Sequence, residues 1–295
     1  MTLHGTTYLD ALARAESFLA AEASDSRVAE EQRSFLLHHA RRTPRAIVFL
    51  HGITSSPLQF RQLAELFHER GYNVFVPRMP RHGYVDRLTH DLAQLSRQEL
   101  TNYTSQAIDV GRGLADHLTV AGLSVSGTLA AWAFQHRPDV DLAVSIAPAF
   151  APYAVPMSTV ESLAWLASRL PNIFVWWDPR LRGRLRSPAG YPRFATRAMA
   201  QSFELAGEVY HAAAHDPPRG QAILVITNPG DRAVSNRATR AMLKRWRRLA
   251  AAKVRHYEFG RDLGAVHDII GPYQPAARVD HVYPILFDLI HAATA

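Results

Sequence analysis

Short, nearly continuous apolar runs alternate with stretches whose apolar residues recur every three or four positions, and this alternation governs the chain from about Arg45 onward. The first kind predicts buried strands and the second predicts helices with one covered face. Strands are predicted at Arg45 to Gly52, Tyr72 to Gly83 (broken by prolines), His117 to Gly122, Asp141 to Phe150, Gln221 to Asp231 (running into a turn) and Lys253 to Gly260. Helices are predicted at Ser56 to Gly71, Leu95 to Asp116, Ser126 to Pro138, Arg193 to Ala213, Asn236 to Ala250 and Ala277 to Ala293. The strands do not alternate apolar with polar residues, so both of their faces are covered. That is the mark of an α/β fold with a mostly parallel central sheet and helices on both faces. Before this region, Tyr8 to Leu37 reads as a polar-faced helical lead. Residues 1–44 are expected to form an N-terminal helical segment packed on the core.

The rhythm breaks after Pro148. Residues 151–192 hold no clear strand but are rich in large apolar groups, including Phe174 and three of the chain's five tryptophans, Trp165, Trp176 and Trp177. This segment is expected to be a cap or lid inserted into a core formed by residues 45–150 and 193–295.

Composition narrows the picture. With 295 residues, 47% of them hydrophobic and 20% charged, the chain can bury one large core and does not have a disordered composition. It has no cysteine, which removes disulfides, thiolate metal sites and cysteine nucleophiles together. The net charge of +7 is almost all arginine, densest at 178–186 and at Lys244 to Arg248. The second run lies on a helical pattern and reads as a solvated face, so no nucleic-acid partner is expected. The N-terminus lacks a basic start followed by an apolar run, and no apolar stretch is long enough to span a bilayer. A soluble, cytoplasmic protein without stable membrane insertion is expected, with no metal or cofactor. The oligomeric state is left open.

The chemistry gathers at Gly122-Leu123-Ser124-Val125-Ser126-Gly127, which nearly spells G-x-S-x-G and joins a predicted strand to a predicted helix. A serine hydroxyl is a poor nucleophile until a base takes its proton. A sharp strand-to-helix turn lifts its oxygen clear of the sheet and aims the next backbone N–H at the oxyanion that forms on attack. An acid and then a histidine must follow in chain order. Asp231 and His267 do so, each just after a predicted strand, where ligands gather in open α/β sheets. Asp262 and Asp268 are rival acids near His267, but neither follows a strand directly. The loop Leu50 to Pro57 opens with His-Gly after the first core strand. The N–H groups of Ile53 and Val125 are the two expected oxyanion donors.

Together, "LHGITSSPLQF", "VPRMPRHG", "AGLSVSG", "NPGDRAV" and "GAVHDIIGP" resemble the α/β-hydrolase superfamily. Within it they look like the bacterial carboxylesterase and monoacylglycerol-lipase group, also classed with serine aminopeptidase-like hydrolases. The resemblance runs from about Arg45 to the C-terminus, apart from the cap. It implies an α/β-hydrolase fold with Ser124 as nucleophile, Asp231 as acid, His267 as base and Ile53 as an oxyanion donor. Two positions depart from the pattern. Ser126 stands where the second glycine belongs, and Pro80 to Gly83 reads P-R-H-G where P-G-H-G is usual.

The substrate class is less constrained. A carboxylic ester with an apolar part fits the aromatic cap, with Trp165, Phe174, Trp176 and Trp177 as candidate substrate-binding residues. A peptidase or amidase would need an acidic group for the substrate's ammonium. Glu161 and Asp178 are available, but the cap is mostly basic. A carbon–carbon bond hydrolase on the same triad and a non-catalytic binding protein on this fold are the other readings.

Overall fold

In the computed structural model, the described residues are 6–178, 190–264, 266–274 and 276–294. The arginine-rich run at 178–186 therefore lies outside them, apart from Asp178.

Nine strands are present among the described residues: β1 (Phe35–Leu37), β2 (Thr43–Leu50), β3 (Asn73–Val76), β4 (Ala115–Leu123), β5 (Leu142–Ile146), β6 (Phe174–Trp176), β7 (Arg193–Ala195), β8 (Ala222–Thr227) and β9 (Val254–Glu258). Seven of them build one sheet in the order β1-β3-β2-β4-β5-β8-β9. Every pairing in it is parallel except β1 with β3. The helices are α1 (Tyr8–Ser24), α2 (Arg61–Glu69), α3 (Arg97–Leu114), α4 (Val125–His136), α5 (Met157–Arg169), α6 (Thr196–His215), α7 (Asn236–Ala250) and α8 (Val279–Ala293).

The apolar runs make the core. Along β2, Ala46, Val48 and Leu50 join the layer under α1, α3, α4, α6 and α7, while Ile47 and Phe49 join the layer under α2 and α8. Successive side chains point to opposite faces of a strand, so a run that is apolar at every position fits a sheet covered on both sides. On α7, Trp246 is fully buried while Lys244, Arg247 and Arg248 are exposed, so the second basic run is a solvated face.

Three local expectations change. The lead α-helix ends at Ser24, one 3₁₀ turn follows at Glu30–Gln32, and Phe35–Leu37 then pairs antiparallel with β3 as an edge strand. The predicted strand at 72–83 ends at Val76, because Pro77 has no N–H to continue the ladder. The segment after Pro148 contains a strand after all: β6 pairs antiparallel with β7, which takes Arg193–Ala195 out of the predicted helix. The segment also supplies α5, which packs on α6 and buries Met157, Val160 and Ala164.

Candidate functional site

The parallel strands deliver four connections to one end of the sheet. Leu50 lies opposite Gly122 in the β2–β4 register, and Leu123 lies opposite Ile146 of β5. The Gly52–Thr54 loop and the turn at Ser124 therefore emerge side by side. The loops after β8 and β9 carry Asp231 and His267.

Ser124 sits at φ 62° and ψ −118°, a region that non-glycine residues rarely adopt. The surroundings hold it there. Its N–H donates to the Ile146 carbonyl at 2.9 Å, and its own carbonyl accepts from the N–H groups of Ala149 at 3.0 Å and Thr128 at 3.1 Å. A side chain at Gly122 would put Cβ 2.1 Å from the Ser126 carbonyl oxygen, so only glycine fits. Gly127 is also required, since Cβ there would lie 2.8 Å from the Ile146 carbonyl oxygen. Ser126, the departure from the glycine pattern, is fully buried. Its hydroxyl donates to the His51 carbonyl at 2.5 Å and so ties the turn to the end of β2.

The three residues singled out in the sequence come together. His267 Nδ1 lies 2.7 Å from Asp231 Oδ2, and His267 Nε2 lies 2.9 Å from Ser124 Oγ. Asp231 is almost fully buried, and its Oδ1 accepts from the N–H groups of Ala233 at 2.7 Å and Val234 at 3.2 Å. An ionised carboxylate only accepts, so Nδ1 carries the proton, and Nε2 is left to accept from the serine hydroxyl. Asp268, the rival acid, is engaged elsewhere, by the N–H groups of Ile270 and Gly271 and the side chains of Gln59 and Gln274.

Sequence reasoning missed Asn228. This buried side chain donates to the carbonyls of Gly264 at 2.9 Å and Val266 at 2.7 Å, and its Oδ1 accepts from the Gly230 N–H at 3.0 Å. One residue thus fastens the loop before His267 to the turn before Asp231. Its position at the end of a strand was the available signal.

The Gly52–Thr54 loop is held from all sides. Gly52 N–H donates to Gln59 Oε1 at 2.9 Å, and Thr54 N–H donates to His82 Nε2 at 3.0 Å. Thr54 lies at φ 65°. Its carbonyl accepts from Tyr191 N–H at 2.6 Å, and its hydroxyl oxygen accepts from Trp177 Nε1 at 2.9 Å. Between Gly52 and Thr54, the Ile53 N–H has no acceptor among the described residues, nor does Val125 N–H at the start of α4.

The aromatic candidates divide. Trp177 touches the loop beside Ile53. Trp165 is about half exposed on α5, with the Arg169 guanidinium 3.7 Å from its ring centre. Phe174 lies between His90 and Arg193. Trp176 sits opposite Arg193 in the hairpin register. The aromatic residue that sequence reasoning undervalued is Tyr191. Its ring stacks on His82, and its hydroxyl donates to the Arg81 carbonyl at 3.0 Å and accepts from Tyr84 N–H at 3.1 Å. Glu161, considered for an ammonium site, is bonded to His211 at 2.6 Å. No group of three or more histidines and carboxylates among the described residues is placed to hold a metal ion.

His51 and His82 are fully buried and support this loop as neutral rings. His51 Nε2 accepts from Met79 N–H at 2.9 Å, just as His82 Nε2 accepts from Thr54 N–H. Burial, with Arg78 nearby, lowers His82 to about 4. Burial, then His82 and Arg78, pushes His51 well below the usual histidine range. In the unfolded chain both protonate near pH 6.5. As pH falls from about 6.5 toward 4, the unfolded state takes up protons that the folded state refuses, so stability is lost. For His82 alone the expected loss by pH 4 is roughly 3 kcal/mol. Urea denaturation at pH 7 and pH 4.5 measures it, and His82→Gln should flatten the dependence. An equal slope in the variant would remove His82 as a cause.

Known proteins match the family and the fold. Residues 47–280 match the family model described as "Alpha/beta hydrolase family". Over 104 residues the chain is 29% identical to a thermostable monoacylglycerol lipase of Bacillus sp. strain H-257, which covers 35% of this chain and 40% of that protein. The chain thus spans about two fifths of that relative's length. Among solved structures, a monoacylglycerol lipase of Paleococcus ferrophilus superposes with a TM-score of 0.65 at 17% identity, over 88% of this chain and 98% of that one. A structure reported with the metagenome-derived lipolytic enzymes LipS and LipT gives the same score and identity over 90% and 99%. At such identities the structural likeness shows the fold. No helix among the described residues is long and apolar enough to cross a membrane.

Proposed function

The chain belongs to the alpha/beta hydrolase family, and from that premise we propose that it is a serine hydrolase cleaving carboxylic esters with an apolar part through an acyl-enzyme on Ser124. The observation that carries the proposal is the hydrogen-bonded series Ser124 Oγ, His267 Nε2, His267 Nδ1, Asp231 Oδ2, with separations of 2.9 and 2.7 Å, at a strained turn on the nucleophile.

In this mechanism His267 Nε2 takes the Ser124 proton as Oγ attacks the ester carbonyl. The negative charge that develops on the carbonyl oxygen meets the N–H groups of Ile53 and Val125, which have no other acceptor among the described residues. Asp231 holds the imidazole in the required tautomer and stabilises its cation. The tetrahedral species collapses, the C–O bond to the alcohol breaks, and His267 returns its proton to the leaving oxygen. Water then repeats the sequence on the acyl-enzyme and releases the acid. The buried backbone bonds on Asp231 Oδ1 keep the carboxylate aimed with its other oxygen at His267.

The substrate class follows from two supports. The Bacillus relative and the Paleococcus structure are monoacylglycerol lipases, and Trp177 places an aromatic ring beside the proposed oxyanion loop. Residues 151–192 are taken as a cap over this end of the sheet. No second reading has an observation of its own, since Glu161 is engaged by His211. We place the protein in the cytoplasm, with no nucleic-acid partner.

The test is a chain-length panel of acyl esters beside aminoacyl amides, with a fluorophosphonate probe of the serine. Ester turnover and labelling are expected. Turnover of amides alone would replace the substrate class, and absence of both labelling and turnover would sink the mechanism. Trp177→Ala should raise KM or shift the preferred acyl length, on the order of tenfold in kcat/KM, while labelling is kept. An unchanged chain-length profile with a lower melting temperature would make Trp177 a packing residue only.

A further inference from the structure

Acyl transfer at this site requires two loops to keep a fixed relation: the one with the Ile53 N–H and the one with His267. A single buried side chain spans them. Gln59 lies in the short helical turn Pro57–Phe60 and is 4% exposed. Its Oε1 accepts from the N–H of Gly52, the neighbour of Ile53, at 2.9 Å. Its Nε2 donates to Oδ2 of Asp268, the neighbour of His267, at 2.8 Å. We propose that Gln59 is a positioning residue, a strut that keeps the oxyanion N–H of Ile53 in register with the His267 imidazole. This rests on the acyl-transfer reading of Ser124, Asp231 and His267.

The chemistry of the two ends specifies glutamine. A backbone N–H only donates and an ionised carboxylate only accepts. The bridging group must accept at one end and donate at the other, and the amide has one orientation that does both. A carboxyl of the same reach, when ionised, offers two acceptors, and a thioether offers no donor.

The far anchor is firm. Asp268 Oδ1 accepts from Ile270 N–H at 3.1 Å and Gly271 N–H at 2.8 Å, and Oδ2 accepts from Gln274 Nε2 at 3.0 Å in addition to Gln59. Gly271 permits this closeness, because a Cβ there would lie 2.6 Å from Asp268 Oδ2. Four donors around one carboxylate hold it in place. That gives Asp268 a task distinct from pairing with the imidazole, which Asp231 already does.

The near anchor is equally specific. The carbonyl of the same peptide group as the Gly52 N–H, His51 O, accepts from Ser126 Oγ, and beyond Ile53 the Thr54 N–H donates to His82. Without Gln59 the Gly52 N–H is left buried and unpaired, and the Ile53 peptide loses its constraint toward the histidine loop. An oxyanion donor works only about 2.7–3.1 Å from the charge it meets, and a misplacement of about 1 Å can cost on the order of 10²-fold. The oxyanion exists only in the transition state, so the loss falls on kcat and not on KM.

The experiment compares wild type with Gln59→Met, Gln59→Glu, Asp268→Asn and the double variant Gln59→Glu/Asp268→Asn. It reads kcat and KM on one acyl ester and the rate of fluorophosphonate labelling at Ser124. Each single variant breaks the match of donors and acceptors. Each is expected to lower kcat by about ten- to a hundredfold, with KM within about twofold and labelling slowed in parallel. The double variant restores the match with its polarity reversed: the new carboxylate accepts from Gly52 N–H and from the new asparagine amide. It should recover at least about tenfold over the weaker single variant, a rescue that a general loss of packing does not produce. Wild-type kcat and labelling in Gln59→Met overturns the inference, as does a double variant no better than its parents. Should Gln59→Met fail to fold, the comparison of Gln59→Glu with the double variant decides. A wild type that neither labels nor turns over ester overturns the acyl-transfer reading, and the strut with it. A labelled wild type with an equally labelled Gln59→Met overturns the strut alone.

Discussion

Changing Ser124 to alanine is expected to remove ester hydrolysis and covalent labelling by a fluorophosphonate, whereas Ser126→Ala keeps both. Two serines lie two positions apart, Ser126 buried and Ser124 partly exposed, so the contrast is a strict test of which one reacts. Ser124 has its hydroxyl 2.9 Å from an imidazole nitrogen and its backbone forced to φ 62°. Ser126 has its hydroxyl on the His51 carbonyl. Loss of a nucleophile in such a triad costs on the order of 10⁶ in kcat, against residual catalysis from the remaining groups. Loss of the Ser126 bond removes one buried hydrogen bond, worth about 1 kcal/mol of stability, and loosens the tie between the turn and β2. Mass spectrometry of the labelled protein identifies the site. Labelling kept in Ser124→Ala and lost in Ser126→Ala would reverse the assignment.

The same pair shows what a linear sequence reveals. Ser126 stood out as a departure from a pattern, but the pattern did not say what its hydroxyl does, because its partner is 75 positions away. The parallel sheet was readable because each central strand is apolar throughout and each amphipathic helix is long. β1, β6 and β7 were not readable. Each has three residues, too few to show a period, and each exists through its pairing partner. The candidate site divides in the same way. Ser124, Asp231 and His267 could be picked out because each follows a strand in the required order, and the chain's topology brings strand ends together. Gln59 and Asn228 were passed over, and Tyr191 counted only as one more large apolar group. Their tasks arise from contacts such as Gln59 with Asp268, 209 positions apart, and nothing local distinguishes them from ordinary polar or core residues. Ile53 was chosen as a candidate by its place after His-Gly. What singles it out in space is that the amides on either side are taken, by Gln59 and by His82.

Asp231→Asn is expected to lower kcat by about 10⁴, and Asp268→Asn by no more than about 10². Both aspartates lie close to His267, one in space and one in sequence, and the acid can be told from its neighbour by what each oxygen does. Asp231 directs Oδ2 at the imidazole Nδ1 and has Oδ1 fixed by two backbone amides, Ala233 and Val234. An asparagine there keeps the shape. Its Oδ1 would still accept from those two amides, so its Nδ2 faces the histidine. An NH₂ donates, so the imidazole must present a lone pair at Nδ1 and carry its proton on Nε2, where it can no longer accept from Ser124. The nucleophile then has no base, and the imidazolium that forms in the transition state has no counter-charge. Asp268→Asn leaves all of this intact and disturbs the strut to Gly52 and the bond from Gln274. The two variants therefore differ in kind. Asp231→Asn should slow fluorophosphonate labelling at neutral pH and recover part of its rate as pH rises and hydroxide stands in for the missing base. Asp268→Asn should keep the wild-type pH profile at a lower plateau. Near-normal turnover by Asp231→Asn, or a larger loss in Asp268→Asn, would move the acid to the histidine loop, and the tautomer argument for Asp231 would fall.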